Sequence, residues 1–151
     1  MTGTKVFTLI AMMCLCGMEA LAADGLITLR SSYAPKDTMN RLETEVKAKG
    51  LAVFARIDHA AGATEVGLSL QPTELLIFGN AKGGTPLMQA VQTIGIDLPL
   101  KALVWQDASG TTWLSNNDPN WRAKRHSLGR EGDAAMAAAL DAMAKAATAS
   151  Q

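Results

Sequence analysis

The order of strands and helices between residues 73 and 115 is the feature that most constrains the fold of this chain. Thr73–Phe78 is apolar through most of its length, which predicts a buried strand. Thr85-Pro86 is a typical helix start, with a hydroxyl cap followed by proline in the first turn. Two strands then follow on either side of a short polar loop, Leu100–Trp105 and Thr111–Ser115. Because strands joined by a hairpin pair antiparallel, this order favours an α+β domain over a doubly wound parallel sheet.

The rest of the chain completes an order of strand, helix, two strands, helix, two strands and helix. Pro35 begins a helix that Gly50 ends, and the alanine-rich segment Asp133–Ala147 predicts the last helix. The fold class is therefore a two-layer α+β domain in which helices back a mainly antiparallel sheet. The other predicted elements are a strand at Leu26–Leu29, a strand at Leu51–Asp58 with Val53, Ala55 and Ile57 on one face, a loose turn at His59–Gly67, a turn at Asn116–Pro119, a short helix at Asn120–Ser127 with Trp121 facing inward, and a frayed tail at Thr148–Gln151.

The first 22 residues have the pattern of a secretory signal peptide. Lys5 supplies the positive charge, Val6–Met18 is a nearly continuous apolar run, and Ala20-Leu21-Ala22 is the small-x-small pattern that signal peptidase cleaves. The apolar run is too short to span a bilayer comfortably. We therefore predict cleavage before Ala23, a single domain at 23–151, a secreted or periplasmic location and no membrane association after cleavage.

Composition excludes several classes of function for the mature chain. Both cysteines, Cys14 and Cys16, lie in the predicted signal peptide, so disulfides, thiolate metal sites and cysteine nucleophiles are excluded together. The chain has 14 basic and 14 acidic residues, and cleavage removes one of each, so the formal net charge stays at zero. A neutral chain without a basic surplus is not expected to bind nucleic acid.

The chain resembles a family of bacterial and archaeal proteins, domain of unknown function 302. The segments that carry the resemblance are Phe78-Gly79-Asn80, Gly84-Thr85-Pro86-Leu87-Met88, Asp97-Leu98-Pro99-Leu100-Lys101, Trp105, Asn117-Asp118-Pro119 and Arg125-His126. Their order spans Leu26 to about Ala147. The resemblance implies a small α+β fold grouped with the TATA-binding-protein-like architecture, and a homodimer. It implies no catalytic residues and no DNA binding, since a fold does not carry a function with it.

The glycine-rich loop Gly79–Thr85 precedes a predicted helix, where free N–H groups attract anions. A P-loop requires lysine directly after its second glycine, whereas Lys82 precedes the paired glycines here, so a nucleotide cradle is not predicted. Two interpretations stay open. The loop is either a tight turn that needs glycine conformations or an anion or small-ligand pocket to which Lys82 and Arg125 contribute.

The two histidines, His59 and His126, are the candidate metal ligands or acid–base groups. Neutral imidazole is a common metal ligand, but no local ligand spacing occurs, so no metal residues are assigned. Each histidine is also explained structurally, His59 at a strand end and His126 at a helix end. The methionines Met88, Met136 and Met143 fall at helical core spacing and are interpreted as packing.

These observations lead to three hypotheses of different classes. The first is a secreted or periplasmic, homodimeric small-ligand-binding or accessory module. The second is an enzyme or metal-binding protein that uses Asp118 and His126 with His59, and the third is a protein-interaction domain without a ligand. No cofactor is predicted. The candidate ligand-binding residues are His59, Asn80, Lys82, Thr85, Asn117, Asp118, Arg125 and His126.

Overall fold

The computed structural model describes residues 25–129 and 134–149. The predicted signal peptide at 1–22 lies outside these residues, as do the last two residues of the chain. The strands are β1 (Leu26–Arg30), β2 (Ala52–Asp58), β3 (Thr73–Gly79), β4 (Leu100–Gln106) and β5 (Thr112–Asn117). The helices are α1 (Pro35–Ala48), α2 (His59–Glu65), α3 (Ala81–Ala90), α4 (Pro119–Arg125) and α5 (Ala134–Thr148), with a 3₁₀ helix at Gln92–Ile96.

The five strands form one antiparallel sheet in the order β1-β5-β4-β3-β2. The β4–β5 hairpin lies at its centre, and Trp105 pairs with Trp113 across it. Their indole rings stack with centroids 6.1 Å apart, as expected for a stabilising cross-strand pair. The predicted α+β class and its mainly antiparallel sheet are therefore confirmed.

One face of the sheet and two helices enclose the hydrophobic core. Helix α1 contributes Met39, Leu42 and Val46 from one stripe at three- and four-residue spacing, all of them fully buried. The alanine-rich helix α5 packs against α1 and adds Leu140 and Met143 together with the small residues Ala144 and Ala147. The core residues of the sheet are Leu76, Phe78, Leu100, Ala102, Val104 and Leu114.

The opposite face of the sheet is also apolar. Side chains alternate between the two faces of a strand, so the neighbours of the core residues point away from the helices. Leu75, Ile77, Leu103, Trp105 and Trp113 form what we call the open face, and each of these side chains is only partly buried. None of the helices in the described part of the chain combines the length and apolarity that crossing a membrane requires.

A β-bulge in β2 changes the alternation that the sequence predicted. Val53 pairs with Phe78 and Ala55 with Ile77, so Phe54 is an extra residue between them. Beyond the bulge Arg56 faces the helical layer, and Ile57 is 40% exposed. The prediction that Val53, Ala55 and Ile57 share one face is therefore wrong, because an inserted residue moves every later side chain to the other face.

Arg56 joins the end of the sheet to helix α1 through an ionic cluster. It donates hydrogen bonds to both carboxylate oxygens of Glu74, to Glu43 at 3.1 Å and to Asn40 at 2.9 Å. The hydrogen bonds from Lys47 and Arg56 lower the pKa of Glu43, and the carboxylate of Glu74 raises the pKa of Arg56. The bulge places this guanidinium where it pairs with acids from both layers.

The C-terminal segment is held more firmly than the sequence predicted. Thr148 belongs to α5, is only 5% exposed and donates a hydrogen bond to the carbonyl of Ala144. Its own carbonyl accepts from the backbone of Ser32, and the Tyr33 hydroxyl donates to Ala149. Thr148 is therefore not part of a frayed tail, because the segment after β1 supplies its partners.

Candidate functional site

An apolar cavity of about 570 Å³ lies at one end of the sheet, between α3, the segment before β4 and the first half of α5. Its size falls within the range of sites that bind small organic molecules, roughly 300 to 1,000 Å³. The described residues that line it are Leu51, Phe54, Gly79, Asn80, Ala81, Gly83, Gly84, Thr85, Met88, Gly95, Leu98, Pro99, Leu100, Ala135, Met136, Ala139 and Met143. All of these side chains are uncharged, so the cavity suits a neutral ligand.

Asn80 positions the first turn of α3 at the mouth of the cavity. Its Oδ1 accepts a hydrogen bond from the backbone N–H of Gly83 at 2.7 Å, which makes Asn80 the N-cap of a helix that begins at Ala81. The prediction that Thr85 caps this helix is wrong, since the carboxamide of Asn80 supplies the cap one turn earlier. Thr85 lies inside the helix and lines the cavity with Asn80.

The bulge places Phe54 at the rim of the cavity. Phe54 is 58% exposed, and its ring lies over Gly79, where an added Cβ would be 3.8 Å from the ring. Bulges are frequent next to binding sites because they redirect a side chain without ending the strand. The floor is buried, with Leu100 6% and Met143 1% exposed, so the cavity runs from an aromatic rim to the core.

Three methionines contribute thioether groups to the cavity wall: Met88 from α3, and Met136 and Met143 from α5. Glycines provide the space they occupy. A Cβ at Gly95 would lie 3.4 Å from the sulfur of Met88, and a Cβ at Gly83 would lie 3.4 Å from the terminal methyl of Met136. The interpretation of these methionines as packing residues is thus incomplete, because all three also border the cavity.

Arg125 and His126 hold the cavity wall without lining it. His126 Nε2 lies 2.6 Å from Asp97 Oδ2, and Arg125 donates to Asp97 Oδ1 at 3.0 Å. The other ring nitrogen of His126 is 3.3 Å from the Thr93 hydroxyl. We call these four residues the Asp97 clamp. They join the end of α4 to the 3₁₀ segment, which carries the cavity residues Gly95, Leu98 and Pro99 on either side of Asp97.

Asn117 and Asp118 lie at the same end of the sheet as the cavity but outside its lining. Asp118 is the N-cap of α4, with its side chain accepting from the backbone N–H of Asn120 at 2.8 Å. Asn117 is the last residue of β5, so the predicted turn at Asn116–Pro119 is in part a strand. Lys82 is exposed in the first turn of α3, also outside the lining. Asp118 therefore caps a helix, and Asn117 ends a strand.

His59 lies at the opposite end of the sheet. It begins α2 directly after Asp58, which pairs with Glu74, whereas Asn80 follows Gly79 at the other end of β3. A strand of this length separates the two ends by about 20 Å. His59 and His126 therefore do not share a site, and the enzyme hypothesis that joins them with Asp118 is not supported by this geometry. Within residues 25–129 and 134–149, no group of three or more acidic or histidine residues is placed to hold a metal ion.

The short helix α4 buries a different residue from the one predicted. Arg122 is 1% exposed, and its Nη2 lies 3.3 Å from the sulfur of Met136. Trp121 is 36% exposed and packs over Gly25, with the guanidinium of Arg125 5.3 Å from its ring. The prediction that Trp121 faces inward is wrong, because the glycine lets the ring lie flat on the backbone at the domain surface.

Of the eight candidate ligand-binding residues, only Asn80 and Thr85 line the cavity. Sequence reasoning concentrated on polar groups and missed Phe54, the methionines and the Leu98-Pro99 segment. One signal was available: four of the lining residues are glycines, and two of these, Gly84 and Gly95, lie four residues before and seven residues after Met88. The contribution of α5 was not visible, because it depends on packing across the whole domain.

Comparison with known proteins identifies relatives of almost the entire described chain. The sequence model of the family described as "Domain of unknown function DUF302" matches residues 27–148. A crystal structure of an uncharacterized conserved DUF302 protein from Bacillus stearothermophilus superimposes with a TM-score of 0.75 at 23% sequence identity. The match covers 83% of this chain and 99% of that one, so the two share a fold.

Curated relatives carry the name of a transport protein. The chain is 50% identical over 121 residues to the fluoride-specific ion channel FluC 1 of Brucella suis biovar 1, which is 80% of this chain and 48% of that protein. It is equally similar to the fluoride-specific ion channel FluC 2 of Brucella melitensis biotype 1, covering 45% of it. The chain thus spans about half the length of the curated relatives it matches.

Proposed function

The chain belongs to the family described as domain of unknown function DUF302, and from that premise we propose that it is an exported, homodimeric module that binds a small neutral ligand in the apolar cavity. The observation that carries the proposal is the cavity itself. Its floor is core, its rim is open, and its lining carries no charged side chain among the described residues. Displacement of water from apolar surface of this kind lowers the free energy and so favours the binding of a ligand.

The names and lengths of the curated relatives favour an accessory role for this module. The curated relatives are named as fluoride-specific ion channels, and the present chain corresponds to about half of each. In those proteins a domain of this kind accompanies a further portion of similar length. We propose that the module works beside a transport protein.

We assign the homodimer contact to the open face. Leu103 lies on the central strand β4. Its neighbours on this face are Leu75 and Ser115 on the adjacent strands and Lys101 and Trp105 along β4, with Ile77 and Trp113 in the diagonal positions. The indole N–H groups are already used within the domain, by Ser115 for Trp105 and by Asp107 for Trp113. A second copy would therefore meet a mainly apolar surface, with Lys101 beside it, and would leave neither of these indole donors unpaired.

Export depends on the N-terminal pattern and has a direct test. Expression of the full chain with its own N-terminus in a Gram-negative host should yield a periplasmic protein. Its intact mass should correspond to a chain that begins at Ala23. Substitution of Ala20 and Ala22 by larger residues should leave the precursor unprocessed, since signal peptidase requires small residues at these positions. A cytoplasmic full-length product of the unmodified chain would rule out export.

The binding proposal is tested by calorimetric titration with two neutral bicyclic ketones of similar size, 2-acetylnaphthalene and its saturated decalin counterpart. We expect at least one of them to bind with a stoichiometry of one per chain. The blocking variant is Gly84→Leu. A Cβ at Gly84 has ordinary contacts of 3.7 and 3.8 Å, so the helix tolerates the change while the rest of the leucine side chain fills the cavity.

The matched control is Gly62→Leu, the same substitution in helix α2, where an added Cβ meets nothing within 4 Å. This variant should bind the probe as the unmodified protein does. Circular dichroism of all three proteins establishes that they are folded. If neither ketone binds the folded protein, or if Gly84→Leu leaves the binding intact, the cavity is ruled out as the ligand site.

A further inference from the structure

We propose that the natural ligand of the cavity is a planar aromatic compound that carries a neutral hydrogen-bond acceptor. This inference rests on the proposed binding function and names the chemical class of the ligand. Three features of the cavity support it: the sulfur and aromatic groups in its wall, the main-chain surface presented by its glycines, and the single carboxamide at its mouth.

The thioether and phenyl groups favour an aromatic ring over an alkyl chain. Met88, Met136 and Met143 bring three polarizable sulfur-containing side chains to one cavity, and Phe54 lies at its rim. Contacts between a thioether sulfur and an aromatic ring are attractive beyond the area they bury, as are contacts between two rings. A saturated ligand of the same size gains the burial term alone.

The glycines give the cavity a wall of main chain. Gly79, Gly83, Gly84 and Gly95 all line it, so over these positions a ligand contacts peptide groups directly. At Gly84 an added Cβ would have room, yet it would project towards Met88 and Leu98 across the cavity. Because Gly84 has no side chain, its peptide groups themselves form part of the cavity wall, and the face of a planar ring can approach them closely.

Asn80 determines the polar part of the ligand. Its Oδ1 already accepts from Gly83 N–H, and among the described residues its Nδ2 donates no hydrogen bond, so this amide group is available to a ligand at the mouth of the cavity. A carboxamide N–H₂ is a donor, so its partner on the ligand is an acceptor such as a carbonyl or ether oxygen. An ionised ligand group would be buried without a counter-charge among the described lining residues, which is costly.

The test adds a third probe to the two ketones. 2-Acetylnaphthalene has a ring and an acceptor, acetyl-decalin has the acceptor without the ring, and 2-ethylnaphthalene has the ring without the acceptor. We expect the aromatic ketone to bind about tenfold tighter than each of the others, the size of effect that one or two sulfur–ring contacts or one hydrogen bond produces. The measurement is calorimetric titration of the unmodified protein.

Two variants assign the preference to its residues. Met88→Leu keeps the volume and removes the sulfur, so it should reduce the preference for the ring several-fold. Asn80→Asp keeps an N-cap acceptor and removes the amide donor, so it should abolish the advantage of the ketone over 2-ethylnaphthalene while 2-ethylnaphthalene still binds. Both variants should retain the secondary structure of the parent.

The outcomes separate this inference from the proposed function. Equal or tighter binding of acetyl-decalin overturns the aromatic preference, and an unchanged ketone advantage in Asn80→Asp overturns the role of Asn80. In both cases the cavity still binds a ligand and the proposed function stands. If neither ketone binds the folded protein, the proposed function itself fails.

Discussion

Asp107 stabilises the tip of the β4–β5 hairpin through four hydrogen bonds to one carboxylate. Its oxygens accept from the backbone and hydroxyl of Ser109, from the backbone of Thr111 and from the indole N–H of Trp113. The bonds from Ser109 and Trp113 contribute most to lowering the pKa of Asp107 from 3.8 to about 2. A carboxylate with this many donors stays ionised in the folded protein under conditions that protonate it in the unfolded chain.

The first prediction concerns the pH dependence of stability. Because the pKa of Asp107 is lower in the folded state, its ionised form stabilises the protein above about pH 4, and this contribution is lost as the pH falls towards about 2. Asp107→Asn should therefore lower the midpoint of thermal unfolding near neutral pH. It should also make the further decrease of that midpoint between about pH 4 and 2 smaller than in the unmodified protein. The measurement is tryptophan fluorescence during thermal unfolding across this pH range. Asp141→Asn, on the exposed face of α5, is the control, and equal pH slopes for the two variants would contradict the assignment.

The second prediction concerns the ionic cluster at Arg56. Arg56→Met keeps the apolar stem but leaves Glu43 and Glu74 without their shared partner, so unfolding free energy should fall by about 1 to 2 kcal/mol. Urea denaturation measures the change. Lys47→Met is the matched control. It removes the other partner of Glu43, but Lys47 is 61% exposed, so the expected loss is under about 0.5 kcal/mol. Equal losses of unfolding free energy in the two variants would show that the bidentate pair of Arg56 with Glu74 stabilises the protein no more than the exposed pair of Lys47 with Glu43.

At the level of elements, the sequence predicted those whose signals are local. Helix α1 begins at Pro35 with a regular apolar stripe, and the β4–β5 hairpin carries its own turn residues, so both were predicted within a few residues. The bulge at Phe54 was missed because uninterrupted alternation fits the same letters equally well. The early start of α3 was missed because Asn80 caps through a side chain, which outweighed the Thr85-Pro86 signal.

The third prediction concerns the Asp97 clamp. Asp97→Ala removes the partner of both Arg125 and His126, so the segment that carries Leu98 and Pro99 should be less well held. We expect about a tenfold loss of affinity for whichever ketone binds, because part of the binding free energy must then be spent on ordering this segment. Titration calorimetry measures it. Asp141→Ala, which breaks only an exposed pair with Lys145, should bind normally; an unchanged affinity in Asp97→Ala would show that the clamp does not support the cavity.

At the level of the whole molecule, the sheet separates two surfaces with different uses. The end of the sheet near Asn80 holds the cavity, and the open face is reserved for a second copy in our proposal. Of the predicted ligand residues, Asn80 and Thr85 line the cavity and His59 lies at the opposite end of the sheet, so the sequence did not identify the cavity as a whole. Polar residues at strand ends and helix starts are conspicuous in a sequence, whereas an apolar cavity consists of the same residue types as the core and is defined only by how they pack.

The fourth prediction concerns the homodimer. Leu103→Lys places a charge at the centre of the open face, so the dissociation constant of the dimer should rise by about 100-fold or more, since a buried interface centre carries most of the affinity. Native mass spectrometry and light scattering measure the stoichiometry. Ala142→Lys adds the same charge to an exposed position of α5 and should leave the dimer intact. A monomeric unmodified protein, or a Leu103→Lys dimer of normal affinity, would exclude the open face as the contact.

The extra residue in β2 divides the strand into two halves with different surroundings. Before Phe54 the strand belongs to the neighbourhood of the cavity, and after it Arg56 belongs to the ionic cluster with α1. A change in what the protein recognises can therefore accumulate on one side of the bulge while the residues that secure the helix remain as they are. A strand of only seven residues thus contributes to the cavity rim near one end and to the attachment of α1 near the other.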